Sequence, residues 1–389
     1  MHDIRTLLSE MGVRGASDLY LTADSPPVLR IEGITENYGD EILTAPEVEE
    51  LANAVMTERQ RATFEERLEM NLALASGRLG RFRVNVFRQR GAVAVVIRQI
   101  KTQIPSIDEL CLPAVLKRIV LSRRGLVLVT GATGSGKSTT QAAMIDYRND
   151  HTRGHIVTIE DPIEFVHPHK HCLISQREVG FDTVSFSEAL RNTLRQAPDL
   201  ILIGEVRDLE TMEAAITFAE TGHLCVATLH SNNANQAIER VMNFFPAMRH
   251  PEIFLQLSLN LRAIISQRLV QGVDGKRVAG LEILIDTPRI RDLIKKGEVD
   301  VLKDAMQQSM LEGGQTFDQA LYDLYAEGRI TEEHALANAD SANNLRIRIK
   351  NLDLREAAKA DAGKPSRHSK PDKDDLRIEG VPTVNVRRL

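Results

Sequence analysis

The sequence predicts an α/β protein whose main domain contains a largely parallel sheet covered by helices. From Leu126 onward, short apolar runs alternate with helical patterns, which is typical of such a sheet. The preceding residues follow a mixed α+β pattern instead. After Leu354 large apolar residues almost vanish, and charges of both signs predict a solvated, mostly disordered tail. We therefore expect an N-terminal domain over 1–105, a main domain over 106–354 and a charged, flexible tail over 355–389.

The composition is that of a soluble globular protein. The chain has 389 residues, of which 42% are hydrophobic and 26% are charged. Its formal net charge of -5 makes it a poor candidate for a general nucleic-acid coat. Cys111, Cys172 and Cys225 form no CxxC pair, so a zinc site and a disulfide framework are not indicated and a reducing cytosol is expected. No apolar stretch approaches the roughly 18–20 residues that cross a bilayer, and no signal pattern opens the chain.

The N-terminal domain should combine a helix with short strands. Helical periodicity covers Pro46–Met56, and alternating apolar residues indicate strands at Leu79–Phe87 and Ala92–Ile97. Proline disfavours helix continuation, so Ile104-Pro105 fits an interdomain connection.

The main domain should alternate strands with helices. The predicted strands are Leu126–Thr130, Ile156–Ile159, Leu200–Ile203, Leu224–Leu229 and Val278–Ile283. The predicted helices between them are Lys137–Tyr147, Phe186–Gln196 and Leu209–Glu220. We expect a further helical segment from about Pro251 to Val270, and more helix from Thr287 to about Ala342.

The segment Gly131–Ser138 fits the pattern GxxxxGK[ST] completely. It follows the apolar run Leu126–Val129 and precedes a helical pattern, the context that distinguishes a phosphate-binding loop from a glycine-rich turn without a ligand. Glycines let backbone N–H groups curve around phosphate oxygens, and the helix N-terminus adds partial positive charge. Lys137 would reach the β- and γ-phosphates, and the Ser138 hydroxyl would bind Mg²⁺. ATP and Mg²⁺ are therefore the expected cofactors, and the predicted nucleotide-binding residues are Gly131, Thr133, Gly134, Ser135, Gly136, Lys137, Ser138 and Thr139.

Two acidic clusters follow predicted strands, at Thr158–Glu164 and Asp199–Asp208. Parallel strands present their carboxyl ends at one edge of a sheet, where ligands bind. A carboxylate beside the γ-phosphate can hold Mg²⁺ through water or polarise the attacking water. Spacing alone does not assign these two roles, and ordinary turn and cap residues are the alternative for each cluster.

With these motifs in order, the chain resembles the type IV pilus retraction ATPases, the PilT/PilU family of secretion ATPases. The resemblance runs from about Gly15 to Ala342. Gly15–Leu21 resembles the opening of the family's PAS-like N-terminal domain, and Thr158–Glu164 resembles its Asp box. Gly204–Asp208 resembles the Walker B region, and Thr221–His230 resembles the His box.

This resemblance implies a RecA-like P-loop ATPase core behind a PAS-like α+β domain, assembled as a homohexamer with ATP bound between the domains. It implies that Glu164 is the general base and that Glu205 holds Mg²⁺ through water. His230 and, less surely, His223 would contact the γ-phosphate. The family's phosphate-reaching arginines match Arg83 and Arg98, with Arg240 a weaker candidate. Strand alternation places Arg81, Arg83 and Asn85 on one face, which equally permits a purely surface role for the arginines.

Within the family the sequence is more like PilU than PilT. Thr221–Ala237 and Gln315–Tyr322 are PilU-like, and Pro288–Ile294 departs from the Ala-Ile-Arg-Asn-Leu-Ile element typical of PilT. The resemblance therefore implies an accessory motor for pilus retraction and twitching motility, at the cytoplasmic face of the inner membrane. Expected partners are the pilus platform protein and a PilT-type ATPase, with membrane contact only through partners.

Two other functions compete with this one. The departure at Pro288–Ile294 also fits a nucleotide-gated structural or regulatory ring that acts on a partner ATPase with little turnover of its own. A nucleic-acid translocase is disfavoured by five tyrosines, no tryptophan and a net charge of -5. For His167–His171 we predict a polar surface loop rather than a metal site, because no neighbouring residues complete a ligand set.

Overall fold

The computed structural model describes residues 3–76, 79–100 and 102–362. Its N-terminal unit is an antiparallel sheet, six-stranded within the described residues, in the order β3-β2-β1-β6-β5-β4. The strands are β1 Asp18–Thr22, β2 Val28–Ile31, β3 Ile34–Asn37, β4 Glu69–Ser76, β5 Gly80–Gln89 and β6 Ala92–Gln99. The helices are α1 Ile4–Arg14, α2 Ala45–Val55 and α3 Glu58–Arg67.

This unit has its own apolar core. In β5 buried and partly exposed residues alternate, so Phe82, Val84 and Val86 pack beneath the helices while Arg81 and Arg83 lie on the other face. The predicted helix and both predicted strands are confirmed to within a few residues. The unit is α+β, as expected, and its likeness to a PAS domain stays a prediction.

The main unit contains a second sheet, seven-stranded in the described part of the chain, in the order β13-β12-β7-β11-β10-β8-β9. Its strands are β7 Gly125–Thr130, β8 Gly154–Glu160, β9 Cys172–Glu178, β10 Leu200–Ile203, β11 Leu224–Leu229, β12 Leu261–Gln271 and β13 Arg277–Ile285. Apart from the antiparallel pair β12–β13, neighbouring strands are parallel. The strands β7, β10 and β11 are buried along their whole length because helices cover both faces.

Helices cover this sheet and form the C-terminal part of the unit. They are α4 Val115–Val120, α5 Lys137–His151, α6 Phe186–Thr193, α7 Leu209–Glu220, α8 Ala234–Asn243, α9 His250–Asn260, α10 Pro288–Lys296, α11 Leu302–Gln308, α12 Phe317–Ala326, α13 Glu332–Asn338 and α14 Ala342–Ala362. Side-chain caps fix many of the starts: the oxygens of Ser185, Asp208 and Asn233 each accept a backbone N–H from the first turn of α6, α7 and α8.

The structure corrects two expectations from the sequence and adds one strand. The predicted helix Pro251–Val270 is wrong beyond Asn260, because Leu261–Gln271 is a strand inserted between β7 and β13. β9 was not predicted, since its second half is polar. The expected tail begins too early: α14 continues to Ala362, so 355–362 is helical, and the rest of the tail lies outside the described residues.

No helix in the parts of the chain that the structure describes has both the length and the apolar character needed to span a membrane. The apolar residues of α9 that the sequence shows are divided between core and surface. Leu257 is buried, whereas Leu255 and Leu259 are exposed.

Candidate nucleotide site and catalytic residues

The glycine-rich loop connects the end of β7 at Thr130 to the start of α5 at Lys137. Gly131, Gly134 and Gly136 have φ angles of 148°, 77° and 86°, in the region that favours glycine. A Cβ on Gly131 would lie 2.5 Å from the carbonyl oxygen of Gln267, and one on Gly136 would lie 2.8 Å from its Nε2. The loop therefore packs closely on β12.

The residues of the loop fit a phosphate group. Lys137 Nζ donates to the carbonyl oxygens of Gly131 and Ala132, both at 2.9 Å. Ser135 Oγ is buried without a hydrogen-bond partner in the described structure. Burial lowers the pKa of Lys137, and the negative charges of Glu205 and Glu164 oppose that change. Lys137, at the N-terminus of α5, can bind a phosphate. The two neighbouring carboxylates would suit the Mg²⁺ that accompanies such a phosphate.

The carboxyl ends of the parallel strands form the opposite wall of the same cavity, which has a volume of about 850 Å³. Glu164 follows β8, Glu205 follows β10 and His230 follows β11. The structure thus brings together, around one cavity, most of the residues predicted from the sequence: Thr133, Gly134, Gly136, Lys137, Ser138, Thr139, Glu164, Glu205 and His230. Such an arrangement can bind a polyphosphate and place carboxylates beside it.

Glu205 is the most extensively paired of these carboxylates. Its Oε1 lies 2.9 Å from His230 Nε2, and its Oε2 lies 2.6 Å from Arg207 Nη2. Arg207 also lies 3.6 Å from Asp161. Burial raises the pKa of Glu205, but hydrogen bonding and the charge of Arg207, together with His230, outweigh burial and leave that pKa lowered. Glu205 is therefore held in its ionised form.

Glu160, at the end of β8, is a titratable group that the sequence motifs did not single out. Burial raises its pKa to about 7, although hydrogen bonds from Thr158 and Gln176 oppose the rise. Thr158 Oγ1 donates to Glu160 Oε1 at 2.6 Å, and Gln176 Nε2 donates at 3.1 Å. Glu164, four residues further on, is exposed and lines the cavity. Burial therefore governs the carboxyl of Glu160 at the end of β8, whereas the carboxyl of Glu164 in the following loop is exposed.

Comparison with known proteins identifies the family of this chain. The family model described as Type II/IV secretion system protein matches residues 1–316. The chain is 54% identical over 349 residues to the type IV pilus ATPase PilU of Pseudomonas aeruginosa, covering 90% of this chain and 91% of that protein. It is 46% identical to the pilus retraction ATPase PilT of the same organism, over 88% of this chain and 100% of that protein. The chain belongs to the PilT/PilU family of secretion ATPases.

The fold agrees with this family. The chain is similar to the crystal structure of the pilus retraction motor PilT with bound ADP, with a TM-score of 0.82 and 43% identity, over 88% of this chain and 98% of that one. It is also similar to the ATPase DotB of Legionella pneumophila, with a TM-score of 0.74 and 27% identity, over 85% of this chain and 93% of that one. The predicted fold class, the PilU-like sequence and the ATPase assignment are confirmed.

The predicted arginines of this ATPase lie away from the cavity within one chain. Arg83 and Arg98 face each other across β5 and β6. Arg98 Nε donates to the buried Asp18 at 2.7 Å. No residue of the described N-terminal unit lines the cavity, so the fold of a single chain does not bring these arginines to the glycine-rich loop.

The two remaining candidates have different surroundings. Arg240 lines a neighbouring pocket of about 310 Å³ with Gly131 and His230, and its guanidinium lies 5.4 Å from the centroid of the Phe244 ring. His223 precedes β11 at the sheet edge opposite the glycine-rich loop, where its Nδ1 contacts Thr221 Oγ1 at 3.1 Å. His223 does not line the cavity, and its contact with a γ-phosphate stays a prediction.

Several residues of the site had no signal in the sequence. Gln267 lies beneath the glycine-rich loop because β12 is a strand, and the helical interpretation of that segment concealed it. His167 is buried at the cavity instead of lying in a surface loop, and burial lowers its pKa to about 4. The described residues contain no group of three or more His, Cys, Asp or Glu side chains that could hold a metal ion.

Proposed function

We propose that this chain is the subunit of a homohexameric ATPase that powers type IV pilus retraction as an accessory motor of the PilU type. The observation that carries the proposal is the convergence of Lys137, Glu164 and Glu205 on one cavity. The higher identity to PilU than to PilT of the same organism supports the accessory role. The proposed location is the cytoplasmic face of the inner membrane, and the proposed partners are the pilus platform protein and a PilT-type ATPase rather than nucleic acid.

In this proposal each wall of the cavity has a separate task. Lys137 and the loop amides bind the phosphates, while Ser138 directly and Glu205 through water hold Mg²⁺. When bound, Mg²⁺ neutralises charge that develops on the transferred phosphoryl group. Glu164 is exposed and lines the cavity, so it can accept a proton from an attacking water. His230, held by Glu205 at 2.9 Å, senses the γ-phosphate.

The arginines link this chemistry to motion. Arg83 and Arg98 do not line the cavity of their own chain. We propose that they reach the phosphates when the ring closes, so that a guanidinium neutralises charge only in that arrangement. Arg240, beside His230 in the neighbouring pocket, is the third proposed arginine.

The decisive experiment compares steady-state Mg-ATP hydrolysis by the purified protein and by Glu164→Gln, while light scattering after gel filtration reports oligomer size. Loss of a general base should lower turnover by at least about a hundredfold. Glu213→Gln is the matched control, because Glu213 lies on α7, where it pairs with Arg249 away from the cavity. Full turnover by a Glu164→Gln hexamer would refute the proposed base.

The nucleotide-gated ring with little turnover remains the second candidate. It is favoured by the altered element Pro288–Ile294, all of which lies within α10 in the structure. Negligible hydrolysis by the unmodified hexamer, with intact ATP binding, would favour this candidate over the motor.

A further inference from the structure

Glu178, the last residue of β9, is a buried carboxylate between the two units of the chain. Its side chain is about 2% exposed, and Oε2 has no hydrogen-bond partner in the described structure. Arg81 Nη2, from β5 of the N-terminal sheet, lies 3.7 Å from this oxygen. Burial raises the pKa of Glu178, and the charges of Arg81 and Arg83 together with the backbone N–H of Ile163 reduce that rise without cancelling it. The carboxylate therefore depends on a cation from the other unit.

The same strand holds the loop that carries Glu164. Gln176 Nε2 donates to Glu160 Oε1 at 3.1 Å and to the carbonyl oxygen of Phe165 at 2.9 Å. Gln176 Oε1 accepts the backbone N–H of His167 at 2.8 Å. These bonds fix the loop on both sides of Glu164, so a displacement of β9 would displace that carboxylate.

The turn after β9 touches the N-terminal unit as well. Phe181 packs against the apolar core of that unit. Asp182 Oδ2 accepts the backbone N–H of Glu178 at 2.9 Å and lies 3.9 Å from Arg81. β9 thus contacts the N-terminal sheet at one end while its side chains hold the loop of Glu164.

We propose that Glu178 is a positioning residue that ties the loop of Glu164 to the N-terminal sheet, so that the Arg81–Glu178 contact sets the rate of ATP hydrolysis. When Arg81 moves away, the Glu178 carboxylate remains buried without its cation. An unpaired buried charge is costly in free energy, and a shift of β9 would relieve that cost. A movement of the N-terminal unit is thereby transmitted to the catalytic loop. The inference rests on the proposed role of Glu164 as base.

The test is a double-mutant cycle with Arg81→Gln, Glu178→Gln and the double variant, in which kcat and KM for Mg-ATP are measured together with nucleotide affinity. Each single variant should lower kcat by about three- to tenfold while affinity changes by less than about twofold. The double variant should be no slower than the slower single variant, because both changes break one contact. Arg81→Lys, which keeps the charge, should restore most of kcat.

Two controls make the result specific. Arg88 lies on the same strand as Arg81 but pairs with Glu65 inside the N-terminal unit, so Arg88→Gln should leave kcat unchanged. Glu164→Gln is measured in parallel. If Glu164→Gln abolishes hydrolysis while Arg81→Gln and Glu178→Gln keep normal kcat, the positioning role is overturned and the proposed base stands. The same conclusion follows if the kcat losses of the two single variants multiply in the double variant. If Glu164→Gln keeps full hydrolysis, the proposed base falls, and this inference falls with it.

Discussion

Glu205 shows how a single carboxylate stays ionised in a partly enclosed cavity. Its side chain is only 21% exposed, and burial alone would favour the neutral acid. Arg207 reverses that preference with hydrogen bonds from Nε and Nη2 to Oε2, at 2.7 and 2.6 Å. An ionised carboxylate attracts a magnesium ion and its water shell more strongly than a neutral acid does, so Arg207 prepares Glu205 for its proposed task.

Arg207→Gln should therefore move the acid limb of the pH profile of kcat/KM to higher pH. The pKa of Glu205 is lowered in the folded protein, so the carboxylate is present above that pKa and is lost as pH falls through it. Removing the guanidinium raises the pKa, which means that protonation begins at higher pH. Arg191→Gln, at an exposed pair with Glu210, should leave the limb in place. An acid limb that does not move in Arg207→Gln would contradict this account.

Among the secondary structure elements, β12 does most to support the glycine-rich loop from below. Thr140 Oγ1, in the first turn of α5, donates to Gln267 Oε1 at 2.7 Å, and both residues are buried. Gly131 and Gly136 approach the same glutamine so closely that a Cβ at either position would collide with it. The backbone carbonyl of Gln267 thus lies against Gly131, while its side chain contacts Gly136 at the end of the loop and Thr140 in the helix that follows.

Gln267→Ala should lower the free energy of unfolding by about 2 kcal/mol, because the hydroxyl of Thr140 loses its partner and a small cavity remains. Nucleotide affinity should fall as well, since the loop loses its support. Gln271→Ala is the control at the exposed end of the same strand, where a change within about 0.5 kcal/mol is expected. Urea unfolding of the nucleotide-free protein measures the free energy of unfolding of both variants. Equal losses of that free energy in Gln267→Ala and Gln271→Ala would refute the special role of Gln267.

The limits of prediction from sequence also appear at the level of elements. The glycine-rich loop and the strands that end at Ile203 and Leu229 could be predicted, because each combines a local pattern with a motif. β12 could not, since a short apolar run such as Ala263–Ile265 does not distinguish a buried strand from a buried helix. β9 was missed because Gln176 and Glu178 are polar, and their partners come from distant parts of the chain. Contacts of that kind leave no local signal.

Across the whole molecule, the raised pKa of Glu160 makes stability depend on pH. Glu160 titrates near 7 in the folded protein and near 4.5 as a free side chain. Between these values the folded state holds a proton that the unfolded state has lost, so the free energy of unfolding falls as pH rises. Over the full window the contribution of this group is at most about 3 kcal/mol.

Glu160→Gln should remove this contribution, because an amide does not titrate. The stability of the variant relative to the unmodified protein should therefore increase as pH rises from about 4.5 to 7. Urea midpoints of the nucleotide-free protein, followed by circular dichroism across that range, measure the trend. Glu210→Gln is the control: hydrogen bonds from Ser187 and Arg191 lower the pKa of the exposed Glu210, so its contribution is fully present above about pH 4.5 and is lost only in more acidic solution. The stability of this variant relative to the unmodified protein should therefore stay level between about pH 4.5 and 7. Parallel pH trends in the two variants would show that burial of Glu160 does not govern its titration.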